Sequence, residues 1–165
     1  NSEILPYIEQ FFVGGSNSIR AFRIRDLGPG SFVNDVDPED DIEKQFIDQT
    51  GDIKLEMSAE YRFPILGFFK GAAFVDAGNV WLLKDDLTLG DKFNVNTFWK
   101  EIAVGAGIGL RIDIQYIVLR LDVATPLRKA YLNEGYQWSF NRFDIGQKSW
   151  RKENIVYNIA VGYPF

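Results

Sequence analysis

Strict two-residue alternation of apolar and polar side chains constrains this chain more than any other feature. In Ile53–Phe63 the residues Ile53, Leu55, Met57, Ala59, Tyr61 and Phe63 share one face, while Lys54, Glu56, Ser58, Glu60 and Arg62 share the other. A period of two is the signature of a strand with two unlike faces, and five charged or hydroxylated residues in a row on one face exclude a dry core there. Ile102–Ile112 repeats the pattern with Ile102, Val104, Ala106, Ile108, Leu110 and Ile112, but its second face is nearly bare: Ala103, Gly105, Gly107 and Gly109, then Arg111. Ile117–Ala124 and Ile155–Phe165 alternate in the same way, and Phe69–Trp81 reads as a strand of mixed character carrying Phe74, Asp76 and Gly78 on one face. With Leu5–Val13 as an opening strand, the expectation is an all-β antiparallel meander of about six strands.

Composition narrows the function. There are no cysteines and no histidines, which removes disulfides, thiolate chemistry, Cys/His zinc sites and histidine triads. The net charge of −5 argues against nucleic acid as a partner. No run approaches the about eighteen apolar residues of a membrane helix, yet a membrane strand needs only about 9–11 alternating residues. A soluble meander and a membrane barrel both satisfy the alternation.

The connections separate the two. Phe63-Pro64-Ile65-Leu66-Gly67 and Ile112-Asp113-Ile114-Gln115 read as tight turns, whereas residues 14–51, 82–100 and 126–153 are long and polar. Short connections at one end and long loops at the other describe an outer-membrane barrel. Trp81, Trp99, Trp138 and Trp150 fall near strand ends or in the long loops, as an interfacial aromatic girdle requires. The acidic stretch Asp35–Asp48 brings oxygen donors together but lacks the spacing and central glycine of a dedicated calcium site, so a solvated loop is expected and no metal is assigned.

One segment stands apart. Phe11-Phe12-Val13-Gly14-Gly15 runs into Ser18-Ile19-Arg20-Ala21-Phe22 and then Leu27-Gly28-Pro29-Gly30-Ser31-Phe32. Arg20, set between Ile19 and Phe22, is placed to enter an enclosed space, where a guanidinium requires carboxylate partners.

These residues resemble outer-membrane protein assembly factors of the BamA and TamA type, in the bacterial surface antigen family. Gly14, Gly15, Ile19, Arg20, Ala21 and Phe22 are similar to the lid-loop motif of that family, with Ala21 where glycine is usual. Phe74-Val75-Asp76-Ala77-Gly78 resembles its Phe-x-Asp-x-Gly strand motif, and Tyr163-Pro164-Phe165 its aromatic-ended last strand. The resemblance implies that the chain is the C-terminal portion of a sixteen-stranded transmembrane β-barrel in the outer membrane of a Gram-negative bacterium. Residues 1–165 would be one barrel segment, with the lid loop at 14–51 and no POTRA domain within it. It further implies that the lid folds into the lumen, where Arg20 meets Glu60 and Asp76 under cover of Phe74, with Gly78 giving the loop room. Tyr157, Tyr163 and Phe165 would belong to a C-terminal assembly signal and a weakly paired seam.

The function implied is insertion or translocation of outer-membrane or secreted proteins, without cofactor. Partners would be outer-membrane lipid, unfolded client proteins, the rest of the barrel with its POTRA domains, and accessory lipoproteins. A two-partner secretion transporter and a passive porin are the alternatives. Glu56, Glu60, Asp76 and Asp122 could be imagined as a hydrolytic carboxylate set, but the patatin-type Gly-x-Ser-x-Gly elbow is absent, and no enzyme is expected.

Overall fold

The computed structural model describes residues 9–32, 49–84, 91–114, 116–132, 137–139 and 144–162. Among these the fold is all-β. Strands β1 (Ile53–Leu66), β2 (Phe69–Trp81), β3 (Ala103–Ile114), β4 (Ile117–Arg128) and β5 (Val156–Gly162) form one antiparallel sheet in sequential order. A short helix, α1 (Lys148–Asn154), precedes β5.

The strands overrun the turns expected from sequence. β1 continues through Pro64 to Leu66, so its hairpin closes over Gly67 and Phe68 alone, with Gly67 at φ 53. Proline is tolerated because β1 is the sheet's first strand and its ladder is irregular between Pro64 and Leu66. Pro126 is accommodated similarly: it lies beyond the β4–β5 ladder, whose last pair is Ala124 with Val156, and beside the irregularity at Val104/Gly105.

The expected opening strand Leu5–Val13 is not a member of the sheet among the described residues. Its described part makes a single bridge, Phe11 to Gly51, and residues 1–8 lie outside them. The last strand begins at Val156 rather than Ile155, which ends α1 instead. Tyr163, Pro164 and Phe165 lie outside the described residues, as does the stretch 35–48.

Register fixes the faces. Glu60 pairs with Phe74, Phe74 with Gly107, and Gly107 with Ala124. Lys54, Glu56, Ser58, Glu60 and Arg62 therefore share one face with Phe74, Asp76, Gly105, Gly107, Gly109, Arg111, Asp122 and Asn158. The opposite face carries Met57, Tyr61, Ile65, Val75, Ile108, Val123, Tyr157, Ile159 and Val161, all exposed. The buried apolar cluster lies on the polar face, between the sheet and the segment preceding it: Val13, Ile19, Ala21, Phe22 and Leu27 against Phe74, Val80, Ala103 and Ala124. The sheet is thus packed from its charged side and bare on its apolar side, the inverse of a soluble half-sandwich.

Trp81 departs from the girdle expectation. It is fully buried, donating from Nε1 to Glu101 at 2.5 Å and meeting Phe93 edge-on at 5.4 Å. The loop between β2 and β3 folds back over it, a contact invisible to local pattern.

Ile108, in mid-strand on the apolar face and 68% exposed, gives a direct test of that face. In the full-length protein in a bilayer, Ile108→Arg is expected to cost about 2–4 kcal/mol. A water-facing strand would lose less than about 0.5 kcal/mol. Unfolding by denaturant in lipid vesicles measures the difference.

Candidate functional site

The segment from Val13 to Leu27 is bent inward by its own backbone. Gly14 and Gly15 adopt φ 100 and 87, the left-handed region glycine enters without penalty. A side chain at Gly14 would also strike the Arg23 carbonyl. The loop closes on itself through Gly15 N–H to Phe22 O at 2.9 Å and Gly14 N–H to the Ser18 hydroxyl at 3.0 Å. Ser18 in turn donates to Glu56 on β1, and Arg120 of β4 donates to Asn17.

Arg20 sits at the centre of this loop with its side chain 5% exposed. Its Nε donates to Asp76 Oδ2 and its Nη2 to Asp76 Oδ1, both at 2.8 Å, a bidentate fork. The Arg20 backbone N–H adds a third bond to Asp76 Oδ2 at 3.1 Å. Nη1 donates to Glu60 Oε2 at 2.5 Å, and Ser58 holds the far oxygen of Asp76 at 2.7 Å. The guanidinium carbon lies 3.4 Å from the centre of the Phe74 ring, a close cation–π contact. Burial by itself would lower the Arg20 pKa, but the hydrogen bonds to Asp76 and Glu60 outweigh it and raise the pKa above its ordinary value.

Bare backbone makes room for this stack. A Cβ on Gly107 would lie 2.5 Å from the edge of the Phe74 ring, and one on Gly105 would collide with the Ala21 methyl. One on Gly78 would meet the Leu55 carbonyl and come within 3.2 Å of Ile19. Ala21 is not among the residues with positive φ, so alanine carries no strain there. Its methyl occupies the space that Gly105 leaves empty.

The structure thus brings Arg20, Glu60, Asp76 and Phe74 together, and places Gly14, Gly15, Ile19, Ala21, Phe22 and Gly78 around them. Tyr157 does not join them; it is on the outer face and 74% exposed. Three partners were not anticipated from sequence. Arg111 on β3 donates to Glu60 and to Asp122. Asp122 places Oδ2 3.8 Å from Arg20 Nη1. Asn158 of β5 donates to the Arg20 carbonyl at 2.8 Å. An isolated arginine on the glycine face of Ile102–Ile112 was the available signal for the first of these. The imagined hydrolytic set lies in charge pairs: Glu60, Asp76 and Asp122 face arginines, and Glu56 faces Lys54 and Ser18.

A meander with an apolar outer face, tight turns at one end, and a loop held by an arginine against its charged face has the features of an outer-membrane β-sheet wall. A family model for the Omp85 superfamily domain matches residues 1–148. The chain belongs to the Omp85 superfamily, whose members are outer-membrane insertases and secretion transporters of Gram-negative bacteria.

Proposed function

We propose that this chain is the C-terminal portion of a sixteen-stranded outer-membrane barrel that assists insertion of other outer-membrane proteins, with its lid locked in the lumen by Arg20. The observation that carries this reading is the bidentate grip of Arg20 on Asp76, deep against the inner wall. The two outermost strands support incorporation into a larger barrel. β1 and β5 each pair on one side within the sheet, and an open edge in lipid leaves backbone groups unsatisfied. Further strands and POTRA domains of the same protein complete the unit, with lipid, unfolded clients and accessory lipoproteins as partners. Tyr157, exposed on the outer face of β5, belongs to an assembly signal for which Tyr163 and Phe165 are the further candidates from sequence. No step requires covalent chemistry: the work is strand-edge pairing and local thinning of the bilayer.

The full-length protein reconstituted in lipid vesicles tests the reading. It is expected to accelerate folding of a urea-unfolded outer-membrane barrel, followed by the gel mobility shift of the folded client. Export of a soluble polypeptide without that acceleration would favour a secretion transporter. Solute flux alone would favour a porin.

A further inference from the structure

Arg111 is more deeply buried than the Glu60 it serves, with its side chain 1% exposed against 15%, and it shares the Glu60 Oε2 oxygen with the lid's arginine. It projects from β3 across β2 to reach Glu60 on β1, donating from Nη2 to Oε2 at 2.8 Å and from Nε to Oε1 at 3.3 Å. Its remaining terminal nitrogen, Nη1, donates to Asp122 Oδ1 on β4 at 2.5 Å. The path is kept open by small residues. Ala72 on β2 pairs with Gly109 on β3, and a Cβ on Gly109 would lie 2.5 Å from Arg111 Nη1 and collide with Asp122.

Glu60 is a long, unbranched carboxylate that in isolation would sample many rotamers, and ordering it costs conformational entropy. Asp76 is short and already braced by Ser58. Arg62 also reaches Glu60 but is half exposed, so its hold is weak. Among the described residues Arg111 is the buried wall side chain that fixes Glu60, with Asp122 fixing Arg111 in turn.

We infer that Arg111 is a positioning residue that preforms the catch: it holds the Glu60 carboxylate aimed at the lid whether or not Arg20 is docked. With the lid withdrawn, Glu60 and Asp122 still share the Arg111 charge, so the wall stays ordered and the lid can return to a ready partner. Preorganisation of this kind raises the docked fraction by removing the ordering cost from the docking step.

The inference rests on the lid-lock reading, and the test keeps the two apart. The natural chain has no cysteine, so a Ser18→Cys/Glu56→Cys pair, bridged by a flexible bifunctional thiol reagent in the full-length protein, reports the docked lid. Arg111→Met is expected to lower the docked-to-released ratio roughly tenfold, read from the cross-link yield along a mild urea series in which docking is partial, while the barrel keeps its folded gel mobility. In an E60Q background, Arg111→Met is expected to add no further loss, because the carboxylate it positions is gone. An equal loss in both backgrounds would mean general damage to the wall and overturn the inference, as would no loss at all. If Arg111→Met does not fold, Arg111→Lys, which keeps a buried charge but not the fork that spans Glu60 and Asp122, must show the same dependence on Glu60 or the inference fails. An unchanged yield in Arg20→Ala would instead overturn the lid-lock reading itself.

Discussion

Replacing Arg20 with alanine in the full-length protein is expected to release the lid from the wall and, on the proposed function, to abolish most of the insertion activity, while the barrel still folds. The reason lies in what each partner keeps. Glu60 retains Arg111, whereas Asp76, 1% exposed, keeps no cationic partner among the described residues, only the Ser58 hydroxyl and, while the lid is docked, the backbone N–H of residue 20. Removing one member of a buried ion pair costs about 3–5 kcal/mol, because the other charge is stranded. That shifts a docking equilibrium by roughly a hundredfold to several thousandfold, so a lid that is almost always docked becomes mostly released. Arg20→Lys is expected to recover only a fraction, since an ammonium supplies no planar fork for Asp76 and covers Phe74 less well. Complementation of a depleted strain, scored beside gel mobility of the variant barrel, checks both halves of the expectation. Arg20→Ala/Asp76→Ala should restore some of the lost stability by removing the stranded carboxylate. It should not restore activity.

The second large effect concerns a position that carries no functional group. Gly105→Ala is expected to displace the lid nearly as completely as loss of Arg20, because the new methyl and that of Ala21 would occupy the same space. The next neighbours of that Cβ are Ala21 Cα at 3.5 Å and the Thr125 carbonyl at 3.6 Å, so the strand itself accepts the methyl. The clash is confined to the lid. Ala21→Gly is therefore expected to rescue Gly105→Ala, returning the lid cross-link to near its original yield. Gly107→Val makes the contrast. Its Cβ would meet the Val123 carbonyl and lie 2.5 Å from Phe74 Cζ and 2.9 Å from Ala124 Cα, so it damages the wall and no lid substitution should repair it. Overpacking of this kind typically costs about 1–3 kcal/mol.

Alternation made the strand faces legible, because a side chain's face in a strand is set by parity alone. Once Glu60 and Asp76 were known to lie on polar faces of neighbouring strands, their convergence on a lid arginine needed only the family motif. What parity does not carry is register across several strands. Arg111 and Glu60 are on strands separated by β2, and their meeting depends on two ladders and on the smallness of Ala72 and Gly109. The pairing of Ala21 with Gly105 was hidden for the same reason: the motif position and the bare wall position lie far apart in sequence. Leu5–Val13 looked strand-like from its apolar content; of its described residues, 9–13, Phe11 makes a single bridge to Gly51, at the approach to β1. Trp81 looked interfacial from its place at a strand end, but the loop that buries it returns through Phe93 and Phe98. Each miss concerns a contact made by the chain folding back, for which local periodicity holds no signal.

The central claim is that Arg20, through Asp76, is what keeps the lid inside. The most direct measurement is the yield of the Ser18→Cys/Glu56→Cys cross-link in native outer membranes, compared between otherwise unchanged protein and Arg20→Met. A high yield that becomes a minor one in Arg20→Met, as the docking equilibrium falls by roughly a hundredfold or more, is the expected result. An equal yield in both would show that the loop is held by its apolar packing alone, and would contradict the arginine lock.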